Sequence, residues 1–258
     1  MSKSSLILVR HGQSEWNKQN KFTGWVDVPL SGNGKKEAKE AGHKINNLQL
    51  DFDNSFSSIL ERSIQTYDQI NKICEFNLVL KKDWRLNERH YGNLQGLNKQ
   101  EMRNIHGDEQ VLVWRRSYDV KPPEISSESH DLLAKQDCFK DLKINPFPKH
   151  ESLKDTFYRL IPFLNENLIP LIEQNKNLPI WGHKGIQANL DRFGGEVAPR
   201  VSRGLAHQFA TSMPQEGPDG IVNLGLGNFF INFSSGTPVT IKRNKDKCQG
   251  RYDQSKRH

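Results

Sequence analysis

A histidine between an arginine and a glycine, Arg10-His11-Gly12, has the clearest chemical potential in this sequence. A histidine can act as a covalent nucleophile or as a general acid or base. The adjacent arginine can direct two N–H donors at phosphate oxygens, and the glycine lets the backbone approach a ligand. On these residues alone, a phosphoryl-transfer site and an ordinary hydrogen-bonded histidine are equally well supported.

Strand-like and helix-like patterns alternate around this tripeptide and predict how it is held. Residues 5–10 form a short apolar run typical of a buried strand, and residues 178–181 form another that ends at Gly182-His183. The clearest helical patterns lie at 31–48, 59–74 and 151–172. This alternation predicts an α/β sheet with helices on both faces. Such sheets bind ligands beyond the carboxyl ends of their strands, which is where His11 is expected.

The remaining elements are predicted from the same patterns. Strands are expected at 55–58, 77–81, 229–233 and 239–242, and helices at 98–105 and 109–118. Residues 126–150 have weak periodicity, so we expect them to run over the surface.

Composition excludes several classes of protein. The chain has 258 residues, a net charge of +7 and three distant cysteines (Cys74, Cys138 and Cys248), which argues against a disulfide framework or a zinc site. No apolar run resembles a signal peptide or a membrane span, so we expect a cytoplasmic protein with no membrane partner. Its arginines are scattered without interleaved aromatic residues, so we expect no nucleic-acid partner.

Several longer motifs are more specific than the tripeptide. The run Asn87-Glu88-Arg89-His90-Tyr91-Gly92 is the strongest of them. The others are Arg10 to Asn17, Phe22-Thr23-Gly24-Trp25, Ser58 to Ser63, Leu94 to Lys99, Trp114 to Tyr118 and Glu151 to Thr156. In this order, they resemble the cofactor-dependent phosphoglycerate mutases of the histidine phosphatase superfamily. The resemblance implies one domain over residues 1–258, with a mostly parallel central sheet flanked by helices on both faces.

The resemblance also implies roles for individual residues. His11 would carry the phosphoryl group, and Glu88 would exchange a proton with the substrate hydroxyl. Arg10, Arg62 and His183 would clamp the transferring group, whose transfer depends mostly on positioning and charge. The remaining substrate contacts would come from Asn17, Thr23, Gly24, Tyr91, Lys99, Arg115 and Arg116.

The implied reaction interconverts 3-phosphoglycerate and 2-phosphoglycerate in glycolysis and gluconeogenesis, through a phosphohistidine at His11. Priming by 2,3-bisphosphoglycerate would be required, and no metal is implied because arginine and histidine supply the positive charge. The family often forms dimers or tetramers. Ser14, Thr23-Gly24 and Gln95 favour the mutase over a bisphosphoglycerate mutase of the same superfamily. A phosphatase and a catalytically impaired paralogue that binds phosphoglycerates also remain as alternatives.

The second half of the chain departs from the family pattern. Lys184 follows His183 where the family has glycine, and the asparagine expected next has no clear counterpart. The segment 191–226 looks like an insertion or a replacement, and the basic tail 242–258 does not resemble the family's C-terminal lid. We therefore expect any loss of function to originate in the loop at Lys184-Gly185 and the segment that follows.

Overall fold

A six-stranded sheet forms the centre of the fold. The computed structural model describes residues 4–174, 176–186, 189–190, 205–207 and 229–235. The strands are β1 (Ser4–Arg10), β2 (Ser55–Ser57), β3 (Leu80–Lys82), β4 (Leu178–Gly182), β5 (Leu205–His207) and β6 (Phe229–Ser235). Their order is β3-β2-β4-β1-β6-β5. The first four are parallel, whereas β6 runs antiparallel to β1 and to β5, which confirms a mostly parallel sheet.

Helices fill most of the connections between the strands. They are α1 (Glu15–Lys18), α2 (Gly32–Asn46), α3 (Glu61–Cys74), α4 (Lys99–His106), α5 (Asp108–Arg116), α6 (Ser127–Ala134), α7 (Leu153–Phe163) and α8 (Ile169–Glu173). A π-helical segment, Leu164–Leu168, joins α7 to α8, so the helix predicted at 151–172 consists of three consecutive pieces. Among the described residues, no helix has the length and apolarity that a bilayer crossing needs.

The alternating side chains of β1 fix a helical layer on each face of the sheet. Ile7 and Val9 pack in a core cluster with α2 and α3 residues, including Ile45 and Ile70. Leu6 and Leu8 belong to a second cluster that includes residues of α7 and α8. Neighbouring residues of a strand point to opposite faces, so a fully apolar strand requires cover on both sides. The predicted helices on both faces are therefore confirmed.

Polar side chains determine where the helices begin. The hydroxyl of Ser31 accepts from Gly34 N at the start of α2, as predicted, and Asn98 caps α4 in the same way. Helix α3 differs, because Leu60 precedes it and offers no side-chain cap. Instead Asp27 Oδ1 accepts from Glu61 N at 2.7 Å. This contact ties the loop before α2 to the first turn of α3.

Residues 126–150 are more than a surface excursion, and this prediction was incomplete. The segment contains α6, and it buries Leu133 and Phe139 in a cluster around Trp25. The Trp25 and Phe139 rings stack with centroids 5.4 Å apart. Turns separate the apolar residues of this segment. These residues pack in one cluster, but their spacing in the sequence follows neither a helical nor a strand period.

The third strand is Leu80–Lys82, which begins later than the predicted 77–81. The strand predicted at 239–242 and the basic tail 242–258 lie outside the described residues, and of the segment 191–226 only residues 205–207 are described.

His90 is a fully buried histidine beside Trp25, with ring centroids 5.6 Å apart. Its Nδ1 accepts from Gly92 N at 3.0 Å. Burial lowers the pKa of His90 to about 3, and the charges of His130, Arg159 and His150 act in the same direction. The native state therefore holds His90 neutral well below the pH at which an unfolded chain would protonate it.

We predict that His90→Asn weakens the acid sensitivity of folding. Because the folded pKa is depressed, the stability linked to His90 is fully present above about pH 6.5 and is lost as the pH falls toward 3. The substitution should reduce the slope of unfolding free energy against pH by about 1.4 kcal/mol per unit in that window. Urea denaturation at several pH values measures this slope. His43→Asn, on an exposed part of α2, is the control, and an unchanged slope in both variants would contradict the prediction.

Candidate active site

The ends of β1 and β4 bring two histidines together. Arg10 pairs with Gly182 in the parallel register, and His11 N donates to Gly182 O at 3.0 Å. The residues that follow each strand, His11 and His183, have ring centroids 5.0 Å apart. The expected location of His11 at the carboxyl end of a strand is confirmed, and His183 occupies the same edge.

The hydrogen bonding of His11 leaves one ring nitrogen available for chemistry. Its Nδ1 lies 2.7 Å from the carbonyl oxygen of Gly12, a contact that requires a proton on Nδ1. In a neutral ring, Nε2 then carries the lone pair. Burial lowers the pKa of His11 far below its ordinary value, and the charges of Arg62 and Arg10 lower it further. His11 is therefore a neutral imidazole whose Nε2 carries a lone pair.

Gly12 serves the packing of the loop as well as the approach of a ligand. A Cβ at this position would lie 2.3 Å from the carbonyl oxygen of Gly34 in α2. The Gly12 amide donates to Thr66 Oγ1 at 3.1 Å, and Thr66 belongs to α3. Only a glycine lets the segment after His11 lie this close to both helices.

Arg62 joins the separate segments of the site. Its guanidinium is fully buried on the first turn of α3. Nη2 donates to the Gly24 carbonyl oxygen at 2.7 Å and to Glu88 Oε2 at 2.8 Å, and Nη1 donates to Val26 O at 3.1 Å. One side chain thus fixes the loop at Gly24 and the carboxylate of Glu88.

Two serines contact one ring nitrogen of His183, whereas the other ring nitrogen has no described hydrogen-bond partner. Its Nε2 lies 2.9 Å from Ser58 Oγ and 3.3 Å from Ser63 Oγ. Its Nδ1 lies 3.7 Å from Glu88 Oε2 and has no hydrogen-bond partner among the described residues, although the ring is fully buried. Burial and the charge of Arg62 lower the pKa of His183 well below its ordinary value. Because a buried polar atom without a partner is unfavourable, His183 Nδ1 favours a ligand that forms a hydrogen bond with it.

The same three groups have the composition of a metal site. His11, Glu88 and His183 each offer a ligand atom, and these atoms lie within 4.8 Å of one another. However, Arg62 already donates to Glu88, and the charges of Arg62 and Arg10 act on both histidines. This positive surrounding favours an anion over a divalent cation.

The loop at residues 22–25 contributes a second polar surface. Thr23 is buried, and its Oγ1 has no hydrogen-bond partner in the described part of the chain. Gly24 has φ +60°, and the neighbouring Trp25 N donates to Gln95 Oε1 at 2.7 Å. Asn17 lies in α1, where its Oδ1 accepts from Ser14 N in a capping box, so part of its bonding capacity is already used.

Basic side chains form the outer part of the site. Burial lowers the pKa of Lys99 to about 8, with Glu88 opposing the shift and Arg115 and Arg10 adding to it. Partial desolvation also lowers the pKa of Lys184, although its side chain is exposed, and the charges of Arg116, Arg10 and Arg115 add to the shift. These mutual effects show that Lys184, the departure from the family pattern, adds to the same group of cations.

The backbone of this basic group is anchored by Arg89. Its Nη2 donates to the Arg115 carbonyl oxygen at 2.7 Å, and its guanidinium lies 4.8 Å from the ring centroid of Tyr91. The predicted residues Tyr91 and Arg115 are therefore linked through one buried arginine.

Comparison with known proteins agrees with this geometry. The pattern of the histidine phosphatase superfamily (branch 1) matches residues 6–137. The chain belongs to the histidine phosphatase superfamily. It is 46% identical over 196 residues to 2,3-bisphosphoglycerate-dependent phosphoglycerate mutase 2 of Lactiplantibacillus plantarum, covering 76% of this chain and 85% of that protein. It is 43% identical over 201 residues to the 2,3-bisphosphoglycerate-dependent phosphoglycerate mutase of Buchnera aphidicola, covering 77% of this chain and 86% of that protein.

A solved structure extends the comparison to the fold. Phosphoglycerate mutase from Bacillus anthracis aligns with a TM-score of 0.55 and 20% identity, covering 78% of this chain and 83% of that one. This is a similarity of fold. The sequence matches confirm the predicted membership in this superfamily, among the 2,3-bisphosphoglycerate-dependent phosphoglycerate mutases.

Some contributors to this superfamily site were not recognised in the sequence. Ser58 and Ser63 support the His183 ring, and Thr66 links Gly12 to α3. The two serines are the first and last residues of the motif Ser58 to Ser63. Their place in that motif was the signal from which a role in the site could have been predicted. Thr66 has no such signal, because its role depends on the packing of α3 against the loop after β1.

We predict that Gly24→Ala destabilises the protein. An alanine Cβ would lie 2.1 Å from Gln95 Oε1, the acceptor of the Trp25 amide, and a φ of +60° is unfavourable for alanine. The free energy of unfolding in urea should fall by about 2 kcal/mol. Gly32→Ala is the matched control, because a Cβ there meets nothing within 4 Å. Equal stability of the two variants would show that the Gly24 conformation is not required.

Proposed function

We propose that this chain interconverts 3-phosphoglycerate and 2-phosphoglycerate through a phosphohistidine at His11. The observation that carries the proposal is the neutral His11 ring, with its Nδ1 proton on the Gly12 carbonyl, next to the Arg62–Glu88 pair. The relatives from Lactiplantibacillus plantarum and Buchnera aphidicola carry the name of this activity. Those names also support participation in glycolysis and gluconeogenesis.

His11 would act as the phosphoryl carrier. Its Nε2 lone pair attacks phosphorus as the bond from phosphorus to the ester oxygen of the donor phosphoglycerate breaks. The Nδ1–H bond to Gly12 holds the ring orientation and stabilises the positive charge that develops on the ring. Arg10, Arg62 and His183 would surround the oxygens of the transferring group. Phosphoryl transfer has a loose, highly charged transition state, so fixed cations and dipoles supply most of the stabilisation.

Glu88 would exchange the proton. Its Oε2 accepts from Arg62 and lies 3.7 Å from Nδ1 of His183, and this geometry supports a role beside the transferring phosphoryl group. When the phosphoryl group moves from His11 to a substrate hydroxyl, Glu88 accepts the hydroxyl proton. The same carboxyl returns the proton when the other phosphoryl group moves back to His11.

The residues around the centre fit a ligand with several negative charges. Thr23 offers a buried hydroxyl without a described partner, beside Gly24 in the chain, and Asn17 is the other polar residue proposed to contact the ligand. Tyr91, Lys99, Arg115 and Arg116 would bind the carboxylate and the second phosphate of the substrate. These residues also fit 2,3-bisphosphoglycerate, which supplies the phosphoryl group that primes His11. We propose that the reaction needs no metal and takes place in the cytoplasm.

Formation of 2-phosphoglycerate from 3-phosphoglycerate, with and without 2,3-bisphosphoglycerate, tests the proposal. We expect conversion that depends on priming, and its loss by at least a thousandfold in His11→Ala, because no other group would carry the phosphoryl. Incorporation of labelled phosphoryl into His11→Ala would contradict the assignment of His11. Release of inorganic phosphate without isomerisation would identify a phosphatase. Net synthesis of 2,3-bisphosphoglycerate would identify a bisphosphoglycerate mutase, and binding without turnover an impaired paralogue.

The lowered pKa of Lys99 predicts a pH dependence of substrate affinity. Lys99 is charged at pH 7 and loses its proton around pH 8, so the KM for 3-phosphoglycerate should rise about tenfold between pH 7 and 9. In Lys99→Gln, KM should already be high at pH 7 and should change little with pH. Lys39→Gln, an exposed position on α2, should keep the wild-type profile. A Lys99→Gln profile as steep as that of the wild type would exclude Lys99 as the source.

A further inference from the structure

Arg159 of α7 is a buried arginine that lies behind the turn carrying Glu88. Its side chain is 6% exposed. The guanidinium lies over the indole ring of Trp25, with the carbon 5.4 Å from the ring centroid, and 6.0 Å from the ring centroid of Trp84. These two rings restrict the plane in which its N–H groups can point.

The donors of Arg159 converge on main-chain carbonyls of that turn. Nη1 donates to Arg85 O at 2.8 Å and to Trp84 O at 3.3 Å. Nη2 donates to Asn87 O and Glu88 O, each at 3.2 Å. Four carbonyls of one short turn are thus bound by a single planar group.

Glu151 completes this arrangement from the other side. Its carboxylate accepts from Arg159 Nε at 2.7 Å and from Nη2 at 2.9 Å. Its Oε2 also accepts from His90 N at 2.9 Å, just after Glu88 in the chain. The main chain is therefore held on both sides of Glu88, while Trp25 Nε1 donates to Glu88 O at 2.6 Å.

We infer that Arg159 is a positioning residue that fixes the backbone of Glu88, and this inference rests on the proposed role of Glu88 as proton acceptor. The Glu88 carboxylate must bond Arg62 and also reach the substrate hydroxyl, so its backbone has little room to move. A displacement of about 1 Å at a reacting group can cost about a hundredfold in rate. Lysine has three donors on one nitrogen and cannot reproduce the fork of a guanidinium.

A double-mutant cycle with Glu88→Gln tests the inference by activity. Arg159→Lys keeps the positive charge that acts on His183, so it isolates the geometry. We expect kcat to fall about 10-fold to 100-fold, while the KM for 3-phosphoglycerate changes less than about twofold. In the Glu88→Gln background, Arg159→Lys should then have little further effect. An equal additional loss in that background would overturn the inference, as would a loss confined to KM.

Arg85→Lys is the matched control. Arg85 belongs to the same turn, but its guanidinium bonds the side chains of Asp83 and Glu166 at 2.7 Å each. We expect Arg85→Lys to keep kcat within about twofold of the wild type, because its contacts leave the carbonyls of the turn in place. A loss equal to that of Arg159→Lys would assign the effect to general loosening of the turn and overturn the specific role of Arg159.

Amide hydrogen exchange gives a readout that does not require catalysis. Arg159→Lys should accelerate exchange at residues 84–91 by at least about tenfold, with little change at residues 32–46 of α2. Unchanged exchange at residues 84–91 would overturn the inference. Equal acceleration at residues 84–91 and 32–46 would also overturn it, because Arg159 would then stabilise the whole fold and not the Glu88 backbone in particular. If the wild type produces no 2-phosphoglycerate, the proposed function fails, whereas the exchange measurement still decides whether Arg159 fixes the Glu88 backbone.

Discussion

The ion pair between the buried Arg62 and the partly exposed Glu88 is the interaction on which the site depends. A guanidinium with no exposure is tolerated only when an opposite charge and hydrogen bonds offset its desolvation, because an unpaired buried charge costs several kcal/mol. Here the acceptors are Glu88, Gly24 and Val26, which come from two different loops. The need to satisfy one buried cation therefore determines how the loop before α2 and the turn after β3 meet over the sheet.

Burial, assisted by the same cation, keeps the two histidines unprotonated. Burial lowers the pKa of His11 and of His183, and the charge of Arg62 is the next cause in each case. Both rings are consequently neutral at pH 7, which preserves the nucleophilic lone pair of His11. The fixed positive charge of the centre then resides on arginines, which stay protonated across the physiological range. A phosphoryl group entering this centre meets donors that are already oriented, so little reorganisation is required.

Local patterns made part of this structure predictable. The apolar run of β1, the cap at Ser31 and the motif around Glu88 all depend on neighbouring residues in the sequence. The contacts that organise the site join distant residues, such as Asp27 with Glu61 N, Phe139 with Trp25 and Arg159 with the turn before Glu88. Such contacts carry no periodic signal, because each needs only one suitable side chain and the fold that brings it near. The family resemblance predicted the residues at the centre, but not the contacts that support them.

The departure at Lys184 can be judged by what holds His183 in place. Ser58 and Ser63 fix the ring, and the pairing of β4 with β1 fixes the backbone that leads into it. None of these contacts involves Lys184. Lys184 itself is exposed, and its charge interacts with Arg116, Arg10 and Arg115. The lysine therefore leaves the His183 position intact and adds a cation to the outer part of the site. In the proposed reaction, a side chain placed there would act on the distal charges of the ligand more than on the phosphoryl group at His11.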